Sequence, residues 1–163
     1  MTTTSLSVHR NKLDLDRYVP ALVTFLANKL SSGASACYRK HFDVGVVEWR
    51  VLALLRVESN ITANRICQVI GLDKAAVSRA LKLLKEDDYV TFVKDETDGR
   101  SVLISLTPSG EGVHDQILQI ALQREALLLE GLTPAEQDTL ISLLQKVNAR
   151  VAVVNAYDPS DHE

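Results

Sequence analysis

Between Leu72 and Val90 the apolar and polar positions separate at helical spacing. At about 100° per residue, Val77, Ala80, Leu81 and Leu84 fall on one side. Ala75, Ser78, Arg79 and Lys82 fall on the other, with Lys74 and Lys85 at its edge. From Lys74 to Lys85 there are four cations and no acid. The outward residues near the start are small, which lets the backbone come close to a groove floor. An arginine there can reach base edges, and a serine can serve bases or phosphates. The pattern predicts a DNA recognition helix, and it equally suits an ordinary amphipathic helix with a solvated basic face. The flanking stretches decide between the two.

Upstream, helical spacing of Tyr18, Leu22, Phe25, Leu26 and Leu30 predicts a first helix from near Leu15–Asp16, with Pro20 in its first turn. Residues 28–39 are rich in small and hydroxyl side chains around Gly33, as suits a kink, a tight helix contact or a ligand. Val46–Arg56 reads as a second helix with Val47, Val51, Leu54 and Leu55 inward and Trp49 upon it; Glu58-Ser59-Asn60 ends it. Thr62 is placed to cap a short third helix, Ala63–Ile70, whose apolar side is Ile66, Val69 and Ile70. Gly71 suits the left-handed position past its end, and Asp73 can cap the helix that follows. Helix, short glycine turn, helix is the helix-turn-helix pattern. Ala63 and Ala75–Ala76 supply small residues for the crossing. A helical hairpin without DNA function is the competing reading.

Two β-branched and aromatic runs follow, Tyr89–Val93 and Ser101–Leu106, joined by a polar, turn-prone stretch. A hairpin directly after a helix-turn-helix makes a wing, with Arg100 at its tip and Asp98 two residues earlier. A tip arginine suits the negative potential of a narrow minor groove. Asp98 is expected to pair with a cation and orient the wing; otherwise both are solvated turn residues. Thr107 and Pro108 then open a long helix through Val113, Ile117, Ile120, Ala121 and Leu128 to about Leu129. Gly131 breaks it, and Thr133 with Glu136 forms a capping box. Leu140, Leu143, Leu144, Val147, Val151 and Val154 continue on one face to near the end.

The expected fold is mainly α with a small β-hairpin wing: a winged helix-turn-helix at 46–106 and a flanking helical dimerisation region at 15–45 and 107–156. Residues 1–14 are expected to be flexible, and 157–163 form an acidic tail. The outer helices carry more apolar surface than a small winged helix needs. A twofold dimer is the economical use of it, since a twofold protein matches a palindromic site; a self-contained monomeric core is the alternative.

Charge narrows the partner. The chain has 163 residues, 46% of them hydrophobic, and a net charge of −3, so a nucleic-acid surface must be a local patch. From Arg56 to Leu106 the 8 Lys/Arg balance 8 Asp/Glu, yet the cations gather on one helix while the acids gather at Glu86–Asp88 and Asp95–Asp98. No stretch of about 18 apolar residues exists, and the N-terminus lacks an apolar signal run, so a cytoplasmic protein without membrane contact is expected. Cys37 and Cys67 are far apart and form no CxxC, which fits a reduced compartment.

In this order of parts the chain resembles the multiple antibiotic resistance regulator (MarR) family of bacterial transcription factors, from about Leu15 to Val154. The matching residues are Glu48-Trp49-Arg50-Val51-Leu52, the helix-turn-helix Thr62–Lys85, and Asp98-Gly99-Arg100 running on through Leu106-Thr107-Pro108-Ser109-Gly110. The resemblance implies a homodimer on a pseudo-palindromic operator in double-stranded DNA. Each recognition helix enters a major groove and each wing an adjacent minor groove. DNA contacts then fall to Lys74, Ala75, Ser78, Arg79, Lys82, Lys85, Thr62 and Arg100, with Asp98 orienting the wing. Gly99 stands where the family often has a second basic residue, which shifts weight to the recognition helix. The resemblance also implies a repressor released by a small aromatic or phenolic effector, such as a hydroxycinnamate or its coenzyme A thioester. Its crevice would be lined by Asn28, Ser32, Ser35, Tyr38, Trp49 and Arg50.

Other functions are set against this reading. A winged helix used only for protein contacts would show no salt-dependent DNA binding, whereas an operator-binding protein would show a steep dependence. A redox sensor would use Cys37 or Cys67, neither of which has an activating pattern. An enzyme is not expected, since phosphate loops, His-x-x-x-His and nucleophile elbows are absent and His9, His41, His114 and His162 are scattered. A metal site or cofactor is not expected either: there is no Cys/His cluster, and His114 and Asp115, being adjacent, should not share a helix face.

Overall fold

The computed structural model describes residues 12–96 and 98–162. The expected flexible stretch lies mostly outside these residues, as does His9; Lys12–Asp14 are exposed and without regular structure. Helix α1 spans Val19–Phe42, not from Leu15–Asp16 as its spacing suggests. Pro20 has no N–H to donate to residue 16, so a hydrogen-bond ladder cannot run through it from upstream. A turn fills the gap instead, in which the N–H of Tyr18 donates to the Asp14 carbonyl at 2.9 Å. The helix runs through Gly33 without a break.

Next come α2 (Val46–Val57), α3 (Ala63–Ile70) and α4 (Lys74–Glu86). The boundaries follow the caps. Thr62 Oγ1 accepts the Arg65 N–H, Gly71 ends α3 at φ 73°, and Asp73 accepts the Ala76 N–H. Inward on α2 are Val51, Leu52 and Leu55, whereas the expected Val47 and Leu54 are only half-buried. Ala63 and Ala75 are exposed and Ala76 is half-buried, so the small-residue crossing expected between α3 and α4 is not built from all three. Ile66, Val77 and Leu81 are the buried residues there.

The wing is β1 (Val90–Lys94) antiparallel to β2 (Val102–Leu106), with Phe92 opposite Ile104. Ile61 adds an isolated bridge to Ile104, exchanging hydrogen bonds of 2.9 and 3.2 Å. The α2–α3 connection is thereby tied to the wing. Leu52, Leu55, Ile66, Val77, Leu84 and Ile104 are almost fully buried. Each such side chain contributes roughly 1.5–3 kcal/mol of burial relative to exposure.

Helix α5 spans Pro108–Leu129. Thr107 caps it by accepting the Gly110 N–H at 3.0 Å. A Cβ on Gly110 would fall 2.0 Å from the Tyr89 carbonyl oxygen, so glycine is needed where α5 starts against the wing. Helix α6 (Pro134–Asn148) has the expected Thr133–Glu136 capping box. It does not continue to the end as one helix: Ala149–Arg150 interrupt it before α7 (Val151–Asn155), although neither is Pro or Gly. A 3-10 turn, Pro159–His162, lies in the acidic tail. The chain divides into two compact units, one ending at Ile117 and one beginning at Leu118.

Candidate nucleic-acid interface

On α4 the four residues expected inward are all buried: Val77, Ala80, Leu81 and Leu84. Lys74, Ala75, Ser78, Arg79, Lys82 and Lys85 are exposed. Packing against α2 and α3 holds the helix by its apolar side, which fixes the basic side outward. Two of the cations have partners inside the chain. Lys82 Nζ lies 3.8 Å from Glu86 Oε1, one turn on. Lys85 Nζ sits 5.1 Å from the centroid of the Phe92 ring. Beneath them runs a cleft of about 550 Å³ between α3, α4 and the wing, floored by Val77, Leu81, Phe92 and Ile104 and rimmed by Lys74, Lys82 and Lys85. Cys67 also lines it.

Thr62 is half-buried, and its hydroxyl is committed to the cap of α3. Arg65, which sequence reasoning missed, makes a two-pronged contact with Glu58 at 2.8 and 2.9 Å. Hydrogen bonding from this guanidinium holds the Glu58 carboxyl below the usual carboxylate range, and Glu58 in turn raises Arg65. Spacing gave no sign of the pair, because its partners stand on different elements.

Arg100 is exposed at the wing. The carboxylate of Asp98 does not take a cation among the described residues. It accepts the Arg100 N–H at 3.2 Å and the Ser101 hydroxyl at 2.7 Å. A short polar side chain satisfying backbone two residues on is how Asp shapes a turn, so Asp98 sets the wing's bend through hydrogen bonds rather than an ion pair.

The second group of expected residues comes together only in part. Trp49 lies edge-on to Tyr38 at 5.8 Å and stacks on His114 at 5.3 Å. Arg50 donates to Ser31 Oγ at 2.6 Å, and Arg39 Nε donates to Ser35 Oγ at 3.4 Å. Asn28 and Ser32 are exposed. His114 and Ser31 were not among the expected residues; they sit on helices distant in sequence from Trp49 and Arg50. His114 is buried and Asp115 exposed, as expected of residues on different helix faces, yet Nδ1 of His114 lies 2.9 Å from Asp115 Oδ1. Adjacent helical residues diverge by about 100°, but the two side chains curl toward each other. Arg56 adds contacts to Asp115 at 3.9 Å and Glu111 at 3.6 Å. Glu48 is buried beside Arg39, at 4.0 Å, with Oε2 lacking a hydrogen-bond partner. Both cysteines are unpaired and half-buried. No group of three or more potential metal ligands occurs among the described residues, and none of the described helices is long and apolar enough to cross a membrane.

Residues 42–101 match the model of the MarR family. The chain is 31% identical over 113 residues to the multiple antibiotic resistance protein MarR of Escherichia coli K12, a span of 68% of this chain and 77% of that protein. The chain belongs to the MarR family. Among solved structures, a MarR/EmrR family transcriptional regulator from Acinetobacter sp. ADP1 superposes with a TM-score of 0.80 at 36% identity, covering 86% of this chain and 99% of that one. A mutant E. coli MarR complexed with operator DNA superposes with a TM-score of 0.71 at 26% identity, covering 83% and 98%. This MarR-family chain is a transcriptional regulator with a winged-helix fold, as its sequence implies.

Proposed function

We propose that a twofold dimer of this chain binds a pseudo-palindromic operator in double-stranded DNA and represses transcription until a small aromatic acid or its thioester releases it. The observation that carries this reading is the outward basic side of α4, with Arg79, Lys82 and Ser78 exposed over a buried apolar side. In this reading Ala75, Ser78 and Arg79 approach base edges in the major groove. Lys74, Lys82, Lys85 and the Thr62 end of α3 meet backbone phosphates, and Arg100 enters the minor groove. That a mutant E. coli MarR of the same fold is complexed with operator DNA supports operator DNA as the partner.

Dimerisation is supported by apolar residues left half-exposed in each unit, among them Leu22, Phe25 and Leu26 in one and Leu143, Leu144 and Val147 in the other. Monomeric proteins rarely leave large apolar patches in water. For the effector, the half-buried Trp49 supplies an aromatic face, backed by Tyr38 and His114, which are buried against it, and Arg50 supplies a cation for a carboxylate. A thermal-shift panel of aromatic acids and their thioesters tests this, since a ligand that binds the folded state raises its melting point.

The DNA reading is tested on a duplex selected from a randomised pool by the unsubstituted protein. Arg79→Ala is expected to weaken binding by about 1–3 kcal/mol and relax sequence preference, whereas Lys82→Ala lowers the salt slope by about 1. Unchanged binding in both variants removes α4 as the reading element.

A further inference from the structure

The two partnered cations of α4 are held in different ways. Lys82 and Glu86 are both well exposed, so salt screens their attraction. Lys85 lies over an aromatic face, and that ring is itself fixed. Phe92 is half-buried on β1, pairs across the hairpin with Ile104, which is 2% exposed, and shares the floor of the cleft with Val77 and Leu81. The Lys85 ammonium lies over this ring, 5.1 Å from its centroid. The negative face of the ring attracts a cation. A lysine carries about 2 kcal/mol of rotamer entropy. One that is held in place before its partner arrives has less to lose on binding.

We propose that Phe92 is a positioning residue for DNA binding. From the wing strand, it holds the Lys85 ammonium on the exposed side of α4, where it meets a backbone phosphate without further ordering. This rests on the phosphate contact assigned to Lys85 above. It makes one wing residue act through the recognition helix rather than by touching DNA.

The test is a double-mutant cycle, read by fluorescence anisotropy on the selected duplex across a range of salt concentrations. Phe92→Leu and Phe92→Met remove the ring but keep apolar bulk, and Phe92→Tyr keeps the ring. Lys85→Ala is expected to lower the salt slope by about 0.9. Phe92→Leu and Phe92→Met are expected to weaken binding roughly two- to five-fold with the slope retained, and Phe92→Tyr to bind as the unsubstituted protein does. On a Lys85→Ala background, Phe92→Leu should cost nothing more. Equal losses from Phe92→Leu in both backgrounds, with Lys85→Ala still lowering the slope, overturn the positioning role alone. A slope unchanged by Lys85→Ala overturns the phosphate contact and, with it, the proposal.

Discussion

The module from Val46 to Leu106 and the helices beyond Leu118 treat the same kind of sequence pattern in opposite ways. Both carry aliphatic residues at helical spacing. In the module, Leu52, Leu55, Ile66, Val77 and Leu84 are nearly inaccessible. Along α6 and α7 no residue is buried, and Leu143, Leu144, Val147 and Val154 stand half-exposed or more. The difference lies in cover, not in pattern. In the module, α2, α3, α4 and the hairpin follow one another closely and close over a shared centre. The apolar stripe of α6 is the same signal without its cover, which the proposed second copy supplies. A hydrophobic period thus states that a face will be buried without stating by which chain.

Damage to the two regions should differ in whether protein concentration matters. Leu55→Ala should cost about 2–5 kcal/mol in urea denaturation, by lost transfer energy and the cavity left behind. If the module completes its own core, that loss is independent of protein concentration. Leu144→Glu should instead act on assembly, weakening the dimer by about 3 kcal/mol or more, since a charge would be buried without a partner. Sedimentation should then find monomers while emission from Trp49, the single tryptophan, stays folded-like. A Leu144→Glu protein that sediments as the unsubstituted one does would place the dimer contact elsewhere.

A weaker effect is expected inside the module, at its surface ion pair. Arg65 holds the folded-state carboxyl of Glu58 below its ordinary range, so the pair stabilises the fold above the unfolded carboxylate pKa. That contribution is lost as pH falls through the lowered folded value. Glu58→Gln should melt below the unsubstituted protein at neutral pH, and the gap should close in acid. A gap that persists at low pH would mean that the glutamine disturbs packing rather than an ion pair.

Much of the module was legible because its signals are local. Thr62, Gly71, Asp73, Thr107 and Thr133 each act within a turn of their own position, and their caps or stops stand where spacing predicts. The faces of α4 follow from one period. Errors arose where one local rule competed with another or where a partner was distant. Pro20 stopped the ladder that the apolar period wanted to extend. Asp98 found backbone and hydroxyl donors at closer range than any described cation. The Tyr38–Trp49–His114 ring cluster, the Arg50–Ser31 bond and the Lys85–Phe92 contact join separate elements, and no spacing rule reaches across them.

By itself the sequence determined the kinds of element, their order, most of their ends and which side of α4 is basic. These depend on backbone hydrogen bonding and side-chain polarity within a few residues, where chain connectivity already sets the geometry. Tertiary structure alone decided that Ile61 bridges to the wing, that Gly110 lies against Tyr89, that Glu58 grips Arg65 and that a strand phenylalanine faces a helix lysine. Those contacts depend on how rigid elements settle around a filled core, where steric fit and the loss of water choose among neighbours that the linear chain leaves far apart.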